Sequence, residues 1–467
     1  MGRYLLGYDL GSSSDKASLV DASTGQAIAS AQSPAEEMSM LAVKPGWAEQ
    51  DPEMWWKHVV ASTRTCLKKS GVKSSEILAI GISYQMHGLV CVDKNQKALR
   101  PSIIWCDSRA VEIGNDAFKK LGEKYCLERL LNSPGNFTAS KLKWVKENEP
   151  DVYTQIDKVM LPGDYIAMRM TGEVATTASG LSEGVLWDYE KNTSPERLLS
   201  FYGIDTSLLA TVMPTFSIQG KLREAIAETL GLKAGTPVAY RAGDQPNNAF
   251  SLNVLNPGET AATAGTSGVI YSVTDKKAYD ERSRVNTFIH VSNKAAVAEA
   301  QRQYRNGVLL CINGTGILNS WLRKNIRCEG APYEYDTINK ISADAPIGSD
   351  GLVVLPFGNG AERVLENKNI DSSFHGVNFN RHQQSHLFRA AQEGIVFALK
   401  YGFDVLQEMG LKSNVIRAGN ANMFLSPLFR EAFVNTIGAC LELYDTDGSK
   451  GSALGAGIGA GVFDSFE

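Results

Sequence analysis

The chain has 467 residues, of which 43% are hydrophobic, and this composition excludes a disordered protein and predicts two or more globular domains. Its 47 basic and 51 acidic residues give a net charge of −4, so we expect neither nucleic acid nor an anionic membrane as its partner. We also expect no membrane span, because no run of 18 apolar residues occurs. The seven scattered cysteines lack a Cys-x-x-Cys pair, which is typical of a reduced, cytoplasmic protein.

The first predicted elements are a β-hairpin and a helix. Apolar residues fill Tyr4–Leu10 except at Asp9, a second apolar segment covers residues 17–20, and residues 28–32 follow as a third strand. Asp51-Pro52 then combines a preferred N-cap with a proline suited to the first helical turn, and Gly71 is a typical helix stop. We therefore expect a helix between them. Its inner face is expected to carry Trp56, Val59, Val60, Thr63 and Leu67.

The turn of the hairpin carries polar groups suited to phosphate. Its backbone N–H groups, its serine hydroxyls and the Lys16 ammonium are able to surround phosphate oxygens, and Asp9 is able to hold a hydrated Mg²⁺. Glycine and serine are also ordinary turn residues. From these residues alone, a solvated serine-rich turn with a capping aspartate is the favoured interpretation, and a phosphate site is the alternative.

A second strand–turn–strand segment occurs about half a chain later. Strands are predicted at residues 260–264 and 269–273, with Gly265-Thr266-Ser267-Gly268 between them. The recurrence suggests two similar α/β domains with a boundary near residues 246–258, where Asn256-Pro257-Gly258 is typical of a linker. Small ligands usually bind in the clefts between such domains.

The segments of this chain, taken in order, resemble those of the FGGY family of carbohydrate kinases over essentially the whole length. Besides the hairpin, the resemblance rests on Pro45-Gly46-Trp47-Ala48-Glu49-Gln50-Asp51-Pro52, Gln85-Met86-His87-Gly88, Trp105-Cys106-Asp107-Ser108-Arg109, Pro162-Gly163-Asp164-Tyr165, Gly243-Asp244-Gln245, Gly265-Thr266-Ser267-Gly268 and Gly451-Ser452-Ala453-Leu454-Gly455-Ala456. Each segment alone is weak evidence. Their occurrence in one order is specific, and it favours the phosphate interpretation of residues 9–16.

The resemblance implies a fold and an activity. The family has two ribonuclease-H-like, actin-like ATPase domains of α/β class that face a central cleft. Here it implies a sugar-binding domain with the first phosphate loop at residues 1–246 and a nucleotide-binding domain at residues 258–467. The implied enzyme transfers phosphate from ATP to an alcohol group, with Mg-ATP held between the domains and the ketopentose D-xylulose as the expected substrate. The same resemblance implies a homodimer.

For the sugar, the resemblance implies contacts from Met86, His87, Trp105, Asp107, Asp244 and Gln245. Asp244 is the implied general base, since a carboxylate beside a sugar hydroxyl helps to remove its proton. The alternative for Asp244 is to cap a helix that Pro246 opens, and the two roles are compatible. Without the resemblance, His87 would more often be structural and Trp105 would more often belong to the core.

For the nucleotide and its metal, the resemblance implies phosphate and adenosine contacts together with Asp9 as the Mg²⁺ ligand. The implied contacts are Gly11, Ser12, Ser13, Lys16, Gly265, Thr266, Ser267, Gly314, Gly419 and Asn420. The chain departs from the family pattern at residues 418–426, where one glycine replaces the usual three, and at Pro246-Asn247-Asn248, which replaces small residues. The first departure concerns binding of the phosphate donor, and the second concerns the choice of sugar.

Two other functions stay open from the sequence. One is a kinase of the same family that acts on L-ribulose, L-xylulose, gluconate or glycerol, which the Gln85-Met86-His87-Gly88 segment argues against. The other is a non-enzymatic sugar sensor or an actin-like structural protein on the same fold. The presence of Asp9 and Asp244 argues against a sensor, because a protein that only binds sugar needs no base. No Gly-x-x-x-x-Gly-Lys-Ser/Thr segment occurs, which excludes a P-loop enzyme.

Overall fold

The computed structural model describes residues 2–293, 304–328 and 330–466. The strands are β1 Tyr4–Leu10, β2 Asp15–Asp21, β3 Ala27–Ser33, β4 Glu49–Gln50, β5 Ile77–Tyr84, β6 Val90–Val92, β7 Ser102–Ile103, β8 Lys158–Met160, β9 Ala175–Thr177, β10 Thr211–Met213, β11 Val238–Gly243, β12 Thr260–Ala264, β13 Gly268–Thr274, β14 Asn286–Ile289, β15 Asn306–Ile312, β16 Arg327–Cys328, β17 Ala331–Pro332, β18 Val353–Phe357, β19 Asp371–His375, β20 Val415–Gly419 and β21 Cys440–Tyr444. The helices are α1 Pro52–Ser70, α2 Val111–Leu121, α3 Glu123–Leu130, α4 Thr138–Asn148, α5 Pro150–Tyr153, α6 Pro162–Thr171, α7 Ala178–Glu183, α8 Glu196–Tyr202, α9 Glu224–Leu230, α10 Asp244–Ser251, α11 Gly316–Asn325, α12 Tyr335–Ala343, α13 Gln384–Glu408, α14 Pro427–Ile437 and α15 Gly448–Gly459.

The chain divides into two compact units. The first contains the chain up to Ser251, the short segment Phe288–Asn293 and the chain from Asp447 onward, and the second contains Leu252–Thr287 and the chain up to Thr446. The break after Ser251 falls in the expected linker region. The segment from Asp447 onward, which we expected in a second domain over residues 258–467, belongs to the first unit because α15 packs on the sheet of that unit.

The first unit is built on a five-stranded sheet with the order β11-β5-β1-β2-β3. The predicted hairpin is confirmed, since β1 and β2 pair antiparallel from Tyr4 with Asp21 to Leu10 with Asp15, and β3 continues antiparallel to β2. Strands β5 and β11 run parallel to β1. The strands β1, β5 and β11 therefore end at the same edge of the sheet.

Glycines let the terminal helix α15 lie directly on this sheet. A Cβ built on Gly7 of β1 would lie 2.0 Å from the Ser449 carbonyl oxygen, and one built on Gly81 of β5 would lie 1.9 Å from that of Ser452. Any larger residue would push the helix away. The close packing holds the start of α15, at Gly448, beside the end of β1.

Helix α1 begins and ends where the sequence predicts. The Asp51 side chain accepts a hydrogen bond from the Glu53 backbone N–H at 2.9 Å, and Gly71 ends the helix in the left-handed conformation at φ 66°. The predicted inner face is correct in part. Val60 and Leu67 are half-buried, because the helix rests on β2 and β3 along a stripe turned toward other residues. The buried residues are Pro52, Trp55, Trp56, Val59, Ser62, Thr63 and Cys66.

The second unit repeats the sheet pattern of the first. Its sheet has the order β14-β15-β13-β12-β20-β21, in which β12, β13 and β15 pair antiparallel and β20 and β21 run parallel to β12. The sequence β21-β20-β12-β13-β15 thus corresponds strand by strand to β11-β5-β1-β2-β3. Within the described ranges of both units, no helix is long and apolar enough to cross a membrane.

Candidate active site

Three neighbouring strands of the first unit bring two candidate acids to one edge of the sheet. Asp9 near the end of β1 lies in register with Ser83 of β5, and Asp244 directly follows β11. The Ser83 hydroxyl donates a hydrogen bond to Asp9 Oδ1 at 2.8 Å. The carboxyl edge of parallel strands is the usual ligand-binding edge of α/β proteins. The structure therefore brings the predicted metal ligand and the predicted base together.

Asp244 has the electrostatics of a proton acceptor. Burial and the nearby charge of Asp9 raise its pKa to about 7, whereas hydrogen bonds from the side chain and backbone of Gln245 act in the opposite direction. The side chain is half-buried, and the residue is the first of α10. A carboxyl group whose pKa lies near neutrality is well matched to accept a proton and release it again.

Asp9 lies against the start of α15. A Cβ on Gly448 would come within 2.3 Å of Asp9 Oδ2, so glycine is needed there. Burial and the charge of Asp447 raise the pKa of Asp9. Negative charge is thus concentrated at one place, and a divalent cation would relieve it. Among the residues that the structure describes, no group of three or more His, Cys, Asp or Glu forms a ligand set, so such a cation would also need phosphate or water oxygens, as Mg²⁺ usually does.

Lys16, a predicted phosphate contact, pairs with Asp447. Its Nζ lies 2.5 Å from Asp447 Oδ2, and the Asp447 side chain also caps α15 by accepting a hydrogen bond from the Lys450 N–H at 2.9 Å. Both side chains of the pair are more than a third exposed. This ion pair links the hairpin to α15, and the sequence did not predict that link.

The glycine–serine turn meets the predicted sugar residues. The Gly11 N–H donates to the Ser14 carbonyl at 3.0 Å, and the Gln50 side chain donates to the Ser12 carbonyl at 2.6 Å. The Trp105 indole N–H lies 3.4 Å from the Ser12 hydroxyl. Ser13 is exposed. The predicted phosphate turn and Trp105 are therefore neighbours in the first unit.

His87 is held in an unusual backbone conformation. Its φ of 61° lies in the left-handed region, which is uncommon for a residue other than glycine. Its Nδ1 lies 2.8 Å from the Glu183 carbonyl oxygen, which requires a proton on Nδ1. The ring packs against Phe137 and Phe288 at centroid distances of 5.0 and 5.3 Å. The preceding residue, Met86, lies over Gly243, next to the predicted base.

Asp107 is engaged with the protein. It is fully buried, and its Oδ2 accepts hydrogen bonds from the Ala48 N–H and from Arg109 Nη2, both at 2.6 Å. Arg109 also pairs with Glu49 at 2.6 Å, and its guanidinium lies 3.7 Å from the ring centre of Trp47. These contacts favour a positioning role for Asp107 over the direct sugar contact that we predicted.

Several buried residues of the candidate site were not predicted from the sequence. Glu183 lies next to Asp244, and Asp164 pairs with Arg241 at 3.0 Å. Gln50 ties two predicted motifs together, since its Oε1 accepts from Trp55 and from Gln85, both at 3.1 Å. Asp164 and Gln50 lie inside segments that we had singled out. No sequence signal points to Glu183.

The second unit brings its own predicted residues together. The Gly316 N–H donates to the Gly265 carbonyl at 2.9 Å, and the Ile317 N–H donates to the Thr266 carbonyl at 3.2 Å, so the turn after β12 lies on the start of α11. A Cβ on Gly265 would lie 3.6 Å from the Asn422 side chain, which belongs to the turn after β20. The predicted residues of these turns are Gly265, Thr266, Ser267, Gly314, Gly419 and Asn420.

Glu362 fixes the turn that contains Gly314. Both of its carboxyl oxygens accept from the Asn313 N–H, at 3.0 and 3.1 Å, and burial raises its pKa to about 7. Gly314 itself must be glycine, because a Cβ there would lie 1.5 Å from the Pro356 carbonyl oxygen.

Known proteins match this chain in sequence and in fold. Residues 4–251 match the N-terminal domain of the FGGY family of carbohydrate kinases. The xylulose kinase of Escherichia coli strain K12 is 30% identical over 97% of this chain and 88% of its own length. A crystal structure of a xyloylose kinase from Brucella ovis has a TM-score of 0.85 at 25% identity and covers 99% of this chain and 92% of its own.

A more distant structure shares only the fold. Plasmodium falciparum glycerol kinase, solved with ADP, has a TM-score of 0.84 at 21% identity over 100% of this chain and 91% of its own. Together with the repeated sheet pattern, these structures show that the fold consists of two ribonuclease-H-like domains of the actin-like ATPase type.

Proposed function

Because the chain belongs to the FGGY family of carbohydrate kinases, we propose that this sugar phosphotransferase acts on D-xylulose, with ATP as the donor, Mg²⁺ as the cofactor and Asp244 as the general base. The observation that carries the proposal is the half-buried Asp244 carboxyl at the carboxyl edge of the first sheet, whose pKa of about 7 lies far above that of an ordinary aspartate.

Asp244 accepts the proton of the sugar hydroxyl in this proposal. As the proton moves to the Asp244 carboxylate, the hydroxyl oxygen forms a bond to the γ-phosphorus, and the bond from that phosphorus to the bridging oxygen breaks to release ADP. Phosphoryl transfer depends mainly on positioning and on neutralisation of charge. Asp244 lies in the first turn of α10, which fixes the position of its carboxylate. This supports its role as the base that accepts the proton.

Asp9 is the proposed ligand of the metal ion. The Asp9 carboxylate would hold Mg²⁺, and the ion would neutralise phosphate charge when it is bound. Gly11, Ser12, Ser13 and Lys16 contact phosphate in the proposal, and this requires the Lys16 ammonium to exchange its pairing with Asp447 for phosphate. The turns at Gly265, Gly314 and Gly419 are the nucleotide contacts of the second unit.

The sugar is the least constrained part of the proposal. Support for D-xylulose comes from the Met86-His87 segment next to Asp244 and from the 30% identity to a xylulose kinase. In this proposal the His87 ring contacts the sugar hydroxyls, and Trp105 provides an apolar surface for the sugar carbons.

The test is a comparison of substrates by sugar-dependent ADP release. D-xylulose should give the highest kcat/KM among D-xylulose, L-xylulose, L-ribulose, gluconate and glycerol. A higher value for another of these compounds would retain the reaction and change the substrate. Sugar binding without ADP release under any condition would favour the sugar sensor, a function that no residue of the site specifically supports.

A homodimer is also proposed, and sedimentation equilibrium at several protein concentrations tests it.

A further inference from the structure

A buried lysine connects two of the segments that form the proposed sugar site. Lys141 lies in α4 and has no exposed surface, although lysine is among the side chains least often buried completely. Its Nζ donates hydrogen bonds to the carbonyl oxygens of His87 and Ile104, each at 2.9 Å. One carbonyl belongs to the Met86-His87 segment, and the other directly precedes Trp105.

Burial of the charged Lys141 ammonium group costs free energy, because the group loses its hydration. Burial lowers the pKa of Lys141 to about 8, although the charge of Asp107 acts in the opposite direction. An apolar residue of similar length would fill the space without that cost, but it would remove the Lys141 hydrogen bond to the His87 carbonyl and leave the Ile104 carbonyl with the Asp107 N–H at 3.2 Å as its donor. The lysine therefore stabilises one particular arrangement of these two loops.

The arrangement that Lys141 stabilises is a strained one. His87 has a φ of 61°, and its two ends are fixed from different sides, since Lys141 binds its carbonyl oxygen while the Glu183 carbonyl binds its ring. Strained backbone of this kind persists only where the surroundings determine it. Loss of the Lys141 contact would free the carbonyl end of His87 and let its backbone relax, while the Leu89 N–H would still join this segment to the Ile103 carbonyl at 2.9 Å.

We infer that Lys141 is a positioning residue for sugar selection, which holds His87 and Trp105 at the spacing that the sugar requires. This inference rests on the proposed function and deepens it. Lys141 acts through His87 and Trp105 and contacts neither the sugar nor the nucleotide. Its loss should therefore weaken the use of the sugar and leave the use of ATP unchanged.

The experiment compares Lys141→Met with Lys143→Met. Both changes are on α4, but Lys143 is half-buried and pairs with Glu147 at 2.8 Å. Steady-state kinetics use Mg-ATP and the sugar that the wild type phosphorylates best. Lys141→Met should raise the KM for the sugar about tenfold or more and leave the KM for ATP within about twofold, and Lys143→Met should change neither. An unchanged sugar KM in folded Lys141→Met would overturn the inference, and so would equal increases in both KM values.

A double-mutant cycle separates positioning from general destabilisation. Because Lys141 acts through His87 as well as Trp105, the rise in the sugar KM of Lys141→Met/His87→Ala should be smaller than the product of the two single rises. Additive effects of the two changes would overturn the inference. If Lys141→Met does not fold, Lys141→Gln is the second test variant, because glutamine keeps a donor of shorter reach. Its sugar KM should rise by less than the roughly tenfold expected for Lys141→Met, and its KM for ATP should stay unchanged. A wild type that phosphorylates no sugar would overturn the proposed function and this inference together. If the wild type is active, the variants test the role of Lys141 alone.

Discussion

The carboxyl group of Glu183 lies directly against Gly243, the residue before Asp244. A Cβ built on Gly243 would come within 2.3 Å of Glu183 Oε2 and 2.6 Å of Met86 Cγ. Neither carboxyl oxygen of Glu183 has a hydrogen bond of standard geometry among the residues that the structure describes, although the Tyr84 hydroxyl is close by. Glycine before Asp244 is thus required by packing, and a second carboxyl group lies next to the proposed base.

Glu183 is predicted to be protonated while Asp244 is ionised. Burial, followed by the charges of Asp244 and Asp164, raises the pKa of Glu183 well above its ordinary value. Glu183→Gln keeps the shape and the neutrality of the protonated group, so kcat/KM should stay within about threefold of wild type. Glu183→Ala leaves a cavity beside Asp244 and should lower kcat/KM about tenfold.

The pH profile distinguishes the two charge states of Glu183. Because the pKa of Asp244 is about 7, kcat/KM should rise with pH through that value as Asp244 loses its proton. The midpoint should be the same in Glu183→Gln as in wild type. A midpoint about one pH unit lower in the variant would mean that Glu183 carries a charge in the native enzyme, which contradicts this account.

Asp9→Asn should weaken the response to magnesium. The amide keeps the size of the side chain but removes the charge that a divalent cation requires, so the Mg²⁺ concentration for half-maximal activity should rise about tenfold or more. Ser83→Ala is the matched control, because it removes the hydrogen bond to Asp9 Oδ1 and keeps the carboxylate. An equal Mg²⁺ dependence in wild type and Asp9→Asn would remove Asp9 from the metal site.

His87 is predicted to contribute to sugar use alone. His87→Ala should raise the sugar KM about tenfold and change the KM for ATP less than about twofold. His87→Asn is a second variant, because asparagine tolerates the left-handed backbone of this position while it lacks the imidazole ring. If His87→Asn behaves as wild type, the backbone conformation matters and the ring does not.

Asp15 is predicted to make stability fall as pH rises. It is buried, accepts a hydrogen bond from the Ser62 hydroxyl at 2.5 Å, and burial raises its pKa to about 8. The folded state thus binds a proton more tightly than the unfolded state, so the stabilisation from that proton is complete below the unfolded pKa of about 4 and is lost as pH approaches 8. Urea unfolding at pH 5 and pH 8 should show that Asp15→Asn gains about 1–3 kcal/mol relative to wild type over this interval.

The control for that measurement is Asp21→Asn, at the exposed end of the same strand. Hydrogen bonds from Ser23 lower the pKa of Asp21, so its replacement should give no gain between pH 5 and pH 8. A constant difference between wild type and Asp15→Asn at both pH values would show that Asp15 is ionised in the folded protein.

Local sequence patterns predicted the elements that form the edge of the first sheet. The apolar segment interrupted only at Asp9 predicted β1, and the Asp51-Pro52 and Gly71 signals predicted both ends of α1. The close packing of α15 follows from glycines that the sequence displays. Its return to the first unit does not follow from any local signal, because it depends on contacts such as that of Ser452 with Tyr8, 444 positions apart.

The electrostatics of the candidate site needed the structure. Glu183 and Lys141 look like ordinary helix residues in the sequence, and their significance comes from contacts with His87, which are 96 and 54 positions away. Asp107 shows the opposite case, since a residue of a recognisable motif turns out to be saturated by Ala48 and Arg109. Motifs predicted which segments meet, and side-chain packing determined which atoms remain available.

The most direct test of the account is sugar-dependent ADP release from Mg-ATP by wild type and Asp244→Asn, with D-xylulose as the sugar. The account predicts turnover by the wild type, a loss of about 10²–10⁴-fold in kcat for the variant, and sugar binding by the variant that calorimetry finds nearly unchanged. A variant that turns over D-xylulose at close to the wild-type rate would contradict the assignment of Asp244 as the base.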